Sequence, residues 1–421
     1  MSSNRRDFLK TGAAIGAGVA LSSLVNHAYA EGGDTLRVGV IGCGGRGSGA
    51  AEDCLTGTTG TKIVAAGDVY KDHITDPKIG MRKKLAKFGD RVDLPDSRCF
   101  DGLDNYEKVL AAGVDLVILA TPPGFRPSHV EAAVKAGKHI FCEKPVAVDG
   151  PGIRKVLAAA KEAKAKNLAV VAGTQRRHQF GYLETMKRIH DGAIGDILAA
   201  RCYWNNAGIW FRPRKDGMSD AEYQINNWYH FLWVCGDHIC EQHIHNLDVI
   251  NWAMQGHPIS CWGLGGRQAR KVGDPNEVGN IYDHFAVEYT FPSGTISNSF
   301  CKHLPGGDNV SEALVGSKGK CQVNDYVING KRVYDKRDKP YVQEHTDLVA
   351  SIRAGKPLNE LEQVAESTLT AIMGRMAAYT GEIVTWEDAL NSKVDTFPAK
   401  LTWDMSLKVG PTPVPGRNQR V

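Results

Sequence analysis

Glu143 and Lys144 stand side by side at the end of an apolar run and directly before Pro145. An acid and a base placed together in this way form either a surface ion pair or a proton-transferring pair in an active site. Because proline disfavours the helical conformation in the residue before it, Lys144 is expected in an extended segment or a turn. Lys144 is therefore a catalytic candidate, provided that a reactive ligand binds beside it.

A second group of acids and bases lies on a helix predicted over residues 238–254. Glu241 and His245 have i, i+4 spacing and Asp248 follows three positions later, so the three side chains share one face. A carboxylate beside an imidazole raises the pKa of the imidazole and orients it, and the pair can exchange a hydroxyl proton at neutral pH. Two alternatives stay open, a metal site formed by His238, Glu241 and His245 and histidines that only pack in the core. No cysteine or aspartate elsewhere clearly completes a metal site, so no metal is expected.

A glycine-rich turn follows the first predicted strand. The spacing Gly-x-Gly-x-x-Gly falls between a strand over residues 36–42 and a helix over residues 45–55. Glycines at these positions allow a tight turn, the close approach of a pyrophosphate and close packing of helix against strand, and the helix N-terminus faces the anion. A glycine-rich turn without a ligand is the alternative. The predicted cofactor contacts in this turn are Gly42, Gly44, Gly45, Arg46 and Gly47.

The ends of three further strands complete the predicted dinucleotide site. Asp68 ends the second strand, where a carboxylate accepts hydrogen bonds from ribose hydroxyls and repels a 2′-phosphate, so NAD is favoured over NADP. Thr121 and Pro122 lie at the end of the strand predicted over residues 115–121, and Glu143 and Lys144 at the end of the strand predicted over residues 138–144. Because ligands of an open parallel sheet bind outside the carboxyl ends of its strands, all five residues are expected to border the cofactor.

The predicted elements change character near residue 175. Before this point apolar strands alternate with longer helices, which is typical of an α/β domain with a Rossmann-type, doubly wound parallel sheet. Its strands are predicted over residues 36–42, 62–68, 115–121, 138–144 and 168–173. Beyond residue 175 alternating strands follow one another with few helices, which predicts an α+β domain with a large open, mostly antiparallel sheet. Its strands are predicted over residues 196–204, 259–264, 284–291, 294–300 and 312–317.

An aromatic segment, residues 203–233, precedes the helix that carries Glu241 and His245. Aromatic faces stack on the apolar faces of pyranose rings, and sugar sites are mostly apolar with a few fixed polar groups. We therefore predict that Trp210 or Trp228 forms a platform for a sugar substrate. The alternative is that the rings fill the core of a loop. The segment contains Trp204, Trp210, Trp228 and Trp233 together with Arg212 and Arg214.

The N-terminal residues are typical of an export signal. Arg5 and Arg6 form a twin-arginine pattern, which a Gly/Ala-rich apolar stretch and a small-x-small sequence at residues 28–30 follow. The apolar stretch is too short to span a membrane, so we expect cleavage after Ala30, export to the periplasm and no membrane span in the mature chain. The predicted organisation is a signal over residues 1–30, an NAD-binding domain over residues 31–175 and a substrate-binding domain over residues 176–421.

Composition and charge narrow the possible partners. The chain has 421 residues and a formal net charge of +4, which gives no electrostatic reason to expect nucleic acid as a partner. Its ten cysteines show no CxxC spacing, so neither a disulfide framework nor a zinc module is expected. The open sheet of the second domain is the expected surface for a homo-oligomer.

Three features together resemble one known family of oxidoreductases. They are the glycine-rich turn, the sequence Glu-Lys-Pro at residues 143–145, and the second-domain helix with Glu241 and His245. The chain resembles the Gfo/Idh/MocA family, named after glucose–fructose oxidoreductase and inositol dehydrogenase, over nearly all of its mature length. Glu241 stands where this family commonly has aspartate. The sequence is also similar to the exported branch of the family.

The resemblance implies roles for particular residues. Lys144 and His245 would flank the substrate carbon that gives a hydride to the nicotinamide, and Glu241 would set the imidazole. Residues 173–178 would line the cofactor end of the cleft, where Gln175 and Arg176 contact the cofactor and Arg176 also reaches the substrate.

Three functions are compatible with these residues. The favoured one is an NAD-dependent oxidoreductase that acts on a secondary hydroxyl of a sugar, glycoside or cyclitol. The second is a redox-neutral, NAD-dependent glycoside hydrolase or lyase that works through a transient 3-keto sugar, as the resemblance to the exported branch implies. Lys144 and His245 disfavour the third, a protein that holds NAD without catalysis. Since a twin-arginine substrate folds before export and free NAD is scarce outside the cytoplasm, a tightly held cofactor is expected.

Overall fold

A computed structural model describes residues 35–416 of the chain. The predicted export segment and its cleavage site therefore lie outside the described residues. Across the part of the chain that is described, no helix has the length and apolar character needed to cross a membrane.

The first sheet is parallel and is built from residues 36–172. Its strands are β1 (Leu36–Ile41), β2 (Thr61–Gly67), β3 (Cys99–Phe100), β4 (Leu116–Leu119), β5 (His139–Cys142) and β6 (Val170–Ala172). Within the described residues the strand order is β3-β2-β1-β4-β5-β6. This order confirms the predicted doubly wound sheet, although the sequence did not indicate the short edge strand β3. Strand β1 pairs with β2 on one side and with β4 on the other, so the strand order changes direction at β1. In sheets of this type a ligand crevice lies at this point, at the carboxyl ends of β1 and β4.

Helices cover both faces of the first sheet. They are α1 (Gly45–Gly57), α2 (Asp72–Thr75), α3 (Met81–Leu85), α4 (Asn105–Ala111), α5 (Arg126–Lys135) and α6 (Gly150–Ala165). Short 3-10 turns span residues 86–91, 96–98 and 123–125. The strands are apolar on both faces because both faces are covered; every residue of β4 and β5, for example, is buried.

The second sheet is mixed and mostly antiparallel, as predicted. Its strands are β7 (Ile197–Asn206), β8 (Ser260–Gly266), β9 (His284–Thr290), β10 (Ile296–His303), β11 (Asn309–Gly316), β12 (Gly319–Gln322), β13 (Val327–Ile328), β14 (Lys331–Arg332) and β15 (Val384–Thr385). The order among described residues is β14-β13-β12-β11-β7-β10-β9-β8-β15, with a parallel pair at β7 and β10.

The remaining helices follow residue 175. They are α7 (Phe180–His190), α8 (Asp220–Asn226), α9 (Leu232–Cys235), α10 (His238–Glu241), α11 (Ile244–Met254), α12 (Pro275–Val278), α13 (Pro340–Arg353), α14 (Leu361–Thr380) and α15 (Trp386–Asn391). Helices α11 and α14 cover one face of the second sheet, whereas α13 packs against α1 and β6 of the first. Side chains along β8 and β10 alternate between this covered face and an open face, where Trp262, Leu264 and Phe300 are exposed.

The helix predicted to carry both Glu241 and His245 is divided in two, α10 and α11, and the single-helix prediction was wrong. Asp237, which precedes α10, has φ 78° and ψ 166°, a conformation that residues other than glycine rarely adopt. Its carboxylate accepts hydrogen bonds from the backbone N–H groups of His238 at 2.5 Å and Tyr282 at 2.8 Å, which hold it there. The chain then turns between the two helices, so their side chains do not follow one straight face.

The last described residues tie the two sheets together. Thr396 donates its backbone N–H to the carboxylate of Asp149 at 2.8 Å, on the first domain. Further on, the carbonyl of Pro413 accepts a hydrogen bond from the Tyr282 hydroxyl at 3.0 Å, on the second. This segment therefore contacts both domains.

Candidate active site

A cavity of about 840 Å³ lies between the domains, at the carboxyl ends of β1 and β4. The predicted site residues that line it are Gly42, Gly44, Gly45, Arg46, Gly47, Asp68, Thr121, Pro122, Glu143, Lys144, Trp210, Trp228, Glu241 and His245. Gln175 and Arg176 do not line it. Arg176 is instead bonded to the buried carboxylate of Glu312 on β11 and packs over the ring of Tyr182.

The glycines of the turn after β1 have distinct roles. Gly42 has φ +89°, and a Cβ there would lie 2.7 Å from the backbone of Ala120. A Cβ on Gly47 would lie 1.7 Å from the carbonyl oxygen of Gly42, so this glycine allows α1 to pack against the strand. Gly44 and Gly45 face open space, with no described atom within 4 Å of an added Cβ. The first N–H groups of α1 point to this space, which fits the pyrophosphate of a dinucleotide.

Asp68 ties the end of β2 to the glycine turn. Its Oδ2 accepts a hydrogen bond from the backbone N–H of Cys43 at 2.7 Å, and its Oδ1 accepts one from that of Tyr70 at 3.0 Å. His73 Nδ1 lies 2.9 Å from the same Oδ1, and this hydrogen bond raises the pKa of His73. The carboxylate thus has a fixed orientation at the edge of the cavity.

Glu143 pairs with Arg46 and not with its neighbour Lys144. Arg46 Nε lies 2.5 Å from Glu143 Oε1, and the guanidinium also stacks over the ring of Tyr341 at 4.8 Å. The Glu143 carboxylate lies against Gly173, where an added Cβ would meet Oε2 at 2.5 Å. Arg46 and Glu143 therefore join the glycine turn to the end of β5.

Lys144 is buried in the cavity wall and is not part of a surface ion pair. It is 8% exposed, and its peptide bond to Pro145 is cis. Its Nζ donates to the backbone carbonyl of Glu241 and lies 3.3 Å from Oε1 of the same residue. A residue of the first domain is thereby held by a residue of the second.

Glu241 faces Lys144 and not His245. Burial raises the pKa of the Glu241 carboxyl group, and the nearby cations Lys144 and Arg126 oppose that rise. Its Oε2 is buried and has no hydrogen-bond partner among residues 35–416. Glu241 can therefore hold a proton more readily than an exposed glutamate.

His245 has a lowered pKa, so the predicted rise was wrong. Burial moves the pKa well below its usual value, and the nearby cations Lys144 and Arg176 lower it further. No hydrogen bond joins the imidazole to Glu241 or Asp248 within the described chain. Asp248 instead accepts hydrogen bonds from Arg177 and Ser367. His245 is therefore a neutral base at neutral pH, and the indole of Trp204 stacks on it at 5.6 Å.

The structure brings further residues into the cavity that the sequence did not single out. Arg126, at the start of α5, and Tyr229 both line it. The Tyr229 hydroxyl lies 3.0 Å from Nδ1 of the buried His238. His238 is thus engaged elsewhere, and no group of three or more possible metal ligands is found among the described residues. In the sequence, these two residues were indicated only by their positions. Arg126 lies in the stretch after β4, and Tyr229 lies in the aromatic segment.

The aromatic segment supplies part of the cavity wall. Trp204, Trp210 and Trp228 line the cavity, whereas Trp233 lies in a separate buried cluster and donates its indole N–H to Gln224 at 2.6 Å. The rings of Trp210 and Trp228 contact each other edge to face with centroids 6.1 Å apart. Trp210 is 37% exposed, and the guanidinium of Arg212 lies over its ring at 4.2 Å.

The fold and the cavity define a two-domain dinucleotide-binding protein. Residues 36–171 match the family model described as "Oxidoreductase family, NAD-binding Rossmann fold". This first domain belongs to the Gfo/Idh/MocA oxidoreductase family, and the predicted resemblance is confirmed over this part of the chain. Residues 2–22 match the signal sequence of the twin-arginine translocation pathway, which confirms the export signal.

Several known proteins of similar sequence or structure are dehydrogenases or oxidoreductases. Inositol 2-dehydrogenase of Klebsiella pneumoniae is 32% identical over 223 residues, 52% of this chain and 55% of that protein. The chain thus spans about half the length of the curated relatives it matches. The structure of scyllo-inositol dehydrogenase from Lactobacillus casei with NAD(H) and scyllo-inositol has a TM-score of 0.63 at 20% identity, over 84% of this chain and 99% of that one. An oxidoreductase from Thermotoga maritima has a TM-score of 0.64 at 20% identity, over 85% and 100%.

Proposed function

We propose that this protein is an NAD-dependent oxidoreductase that removes a hydride from a secondary hydroxyl of a sugar, glycoside or cyclitol and retains its cofactor. One observation carries the proposal. Lys144 of the first domain and Glu241 and His245 of the second line the same cavity as the glycine turn. Acid–base residues beside a dinucleotide cradle are what the oxidation of an alcohol requires.

His245 and Lys144 have different roles in the proposed removal of the hydroxyl proton. A nicotinamide, when bound, supplies the hydride acceptor. Neutral His245 takes the proton of the substrate hydroxyl, because its lowered pKa leaves a nitrogen lone pair available at neutral pH. The Lys144 ammonium, held by Glu241, stabilises the negative charge that develops on the same oxygen. The alcohol thus loses a hydride and a proton and becomes a ketone.

The preference for NAD over NADP rests on Asp68. Its carboxylate has a fixed orientation at the end of β2. A carboxylate at this point accepts hydrogen bonds from the ribose hydroxyls and repels a 2′-phosphate. The NAD(H) bound in the scyllo-inositol dehydrogenase structure supports the same choice. The twin-arginine signal supports a retained cofactor in the periplasm, because its substrates fold before export.

The purified mature protein should carry NAD or NADH in substantial amounts. Denaturation of the protein followed by chromatography of the released nucleotide measures both the amount and the identity. A matched sample of the Asp68→Ala variant should contain less NAD and discriminate less against NADP. Protein that arrives empty and does not bind NAD at millimolar concentration would contradict the proposal, and NADP in place of NAD would overturn the cofactor preference.

The substrate class rests on the aromatic wall and on the names of the relatives, several of which are inositol dehydrogenases. Trp210→Ala or Trp228→Ala should raise the KM for a sugar or glycoside by about tenfold, because a stacking face is lost. Steady-state kinetics and the melting temperature test this. Trp386→Ala is the control, since Trp386 stacks on His257 outside the cavity. Variants that unfold, or that keep the parent KM, would show that these rings only fill the core.

Two further parts of the proposal concern the whole protein. A homo-oligomer through the open face of the second sheet is supported by the exposed apolar side chains there, among them Leu198, Trp262, Leu264 and Val315. A redox-neutral glycosidase would also restore its own cofactor, but none of the relatives named above is a glycosidase, so oxidoreductase chemistry is preferred.

A further inference from the structure

Arg126 is a buried cation in the cavity that the proposed proton transfers do not use. It is the first residue of α5, is 4% exposed and lines the cavity. Its Nη1 donates to the backbone carbonyl of Pro145, the residue after Lys144, and its Nε has no hydrogen-bond partner among the described residues. Because a guanidinium does not lose its proton in a protein, a full positive charge is buried beside Lys144.

No carboxylate in residues 35–416 forms an ion pair with Arg126. Glu143 and Glu241 act on it through space. Both are already engaged, Glu143 by Arg46 and Glu241 by Lys144. Since buried charges in proteins are as a rule paired, an unpaired guanidinium in a cavity wall indicates that a ligand supplies the negative charge.

Arg375 shows what a purely structural buried arginine looks like in this protein. It is 1% exposed, lies outside the cavity and donates Nη1 to two backbone carbonyls, those of Val148 and Gly236. Like Arg126, Arg375 has an Nε without a partner and forms no ion pair within the described residues. Arg126 differs in making one bond to a backbone carbonyl and in lining the cavity, where a ligand can reach its guanidinium.

A second arginine without an ion pair lines the same cavity. Arg212, in the aromatic segment, donates to the backbone carbonyl of Asn226 at 2.6 Å and lies over the ring of Trp210 at 4.2 Å. No carboxylate of the described chain lies within ion-pair distance of it. Five cations line the cavity, Arg46, Lys84, Arg126, Lys144 and Arg212, against three carboxylates, Asp68, Glu143 and Glu241. The cavity therefore has an excess of positive charge.

We propose that the substrate carries a carboxylate, as a hexuronic acid or a uronoside does, and that Arg126 binds it. This inference rests on the proposed function and specifies the class of substrate that the same site binds. The phosphates of the dinucleotide do not account for Arg126, because they are expected at the glycine turn after β1, whereas Arg126 is anchored to Pro145 beyond the end of β5. The planar fork of a guanidinium matches a planar carboxylate through paired hydrogen bonds.

The test is binding to the protein with its cofactor bound, measured by quenching of tryptophan fluorescence. The probes are matched pairs: glucuronate with glucose, galacturonate with galactose, and glucose 6-phosphate as a second anion. The uronates should bind about 10- to 100-fold more tightly than the neutral sugars, which is the range for charge-assisted hydrogen bonds. In Arg126→Gln this ratio should fall to about threefold or less, and in Arg188→Gln, a surface control on α7, it should not change.

Each outcome bears on the proposal. Equal affinity of the parent protein for uronates and neutral sugars would overturn it, and so would tighter binding of the sugar phosphate than of the uronates. If Arg126→Gln does not fold, the comparison of uronates with neutral sugars in the parent protein decides. If uronates bind tightly and yet reduce no bound NAD, the inference stands and the oxidoreductase proposal fails.

Discussion

Replacing Lys144 with Met should lower the rate of hydride transfer by about 10²–10⁴-fold, the usual contribution of a positioned acid–base group. The ammonium is 8% exposed and lies in the cavity wall, so its loss removes the positive charge that stabilises the developing alkoxide. Stopped-flow absorbance at the band of reduced nicotinamide measures the rate.

The fold and the bound cofactor should survive this change. Glu241 loses its cation in Lys144→Met, but burial already raises the pKa of its carboxyl group, so it can take up a proton. Lys155→Met, on the outer surface of α6, is the matched control and should leave the rate unchanged. A Lys144→Met protein that reduces its nicotinamide at the parent rate would show that Lys144 is only a structural ion-pair partner.

Gly44→Ala and Gly47→Ala should fail in different ways, although both add one methyl group to the same turn. Gly44 is extended and its added Cβ would enter open space, so Gly44→Ala should fold normally and lose about 10- to 100-fold in affinity for the dinucleotide, because the methyl group occupies the ligand's place. An added Cβ on Gly47 would lie 1.7 Å from the Gly42 carbonyl oxygen, so Gly47→Ala should lower the melting temperature as well.

Nucleotide content after purification and the melting temperature separate these outcomes. Gly49→Ala, one turn into α1, is the control, since its added Cβ would meet only the end of the Arg46 side chain at 3.7 Å. Full cofactor content in Gly44→Ala would mean that no ligand passes over the turn, and the dinucleotide site would lie elsewhere.

The parallel sheet and the glycine turn could be predicted because their signals are local. Strands that are apolar on both faces alternate with helices, and the glycines fall between β1 and α1, as the backbone at Gly42 and Gly47 requires. The edge strand β3 was missed because two residues carry no periodic pattern.

Contacts between distant residues could not be predicted from spacing. The pairing of Lys144 with Glu241 and of Glu143 with Arg46 depends on how the domains close. Helical spacing placed Glu241 beside His245, but the conformation of Asp237 and the break after α10 direct Glu241 to Lys144. The pKa of His245 therefore moves in the direction opposite to the prediction, because burial and cations act on it without a carboxylate partner.

The most direct test of the central claim is to mix the protein as purified, with no NAD added, with a panel of sugars, glycosides, cyclitols and uronic acids. The account predicts that at least one compound raises the absorbance of reduced nicotinamide in proportion to the cofactor bound, and that a keto product forms in equal amount. If the protein contains NAD and binds members of the panel, but no compound reduces the cofactor and no keto product appears, the site is not that of an oxidoreductase acting on sugar hydroxyls.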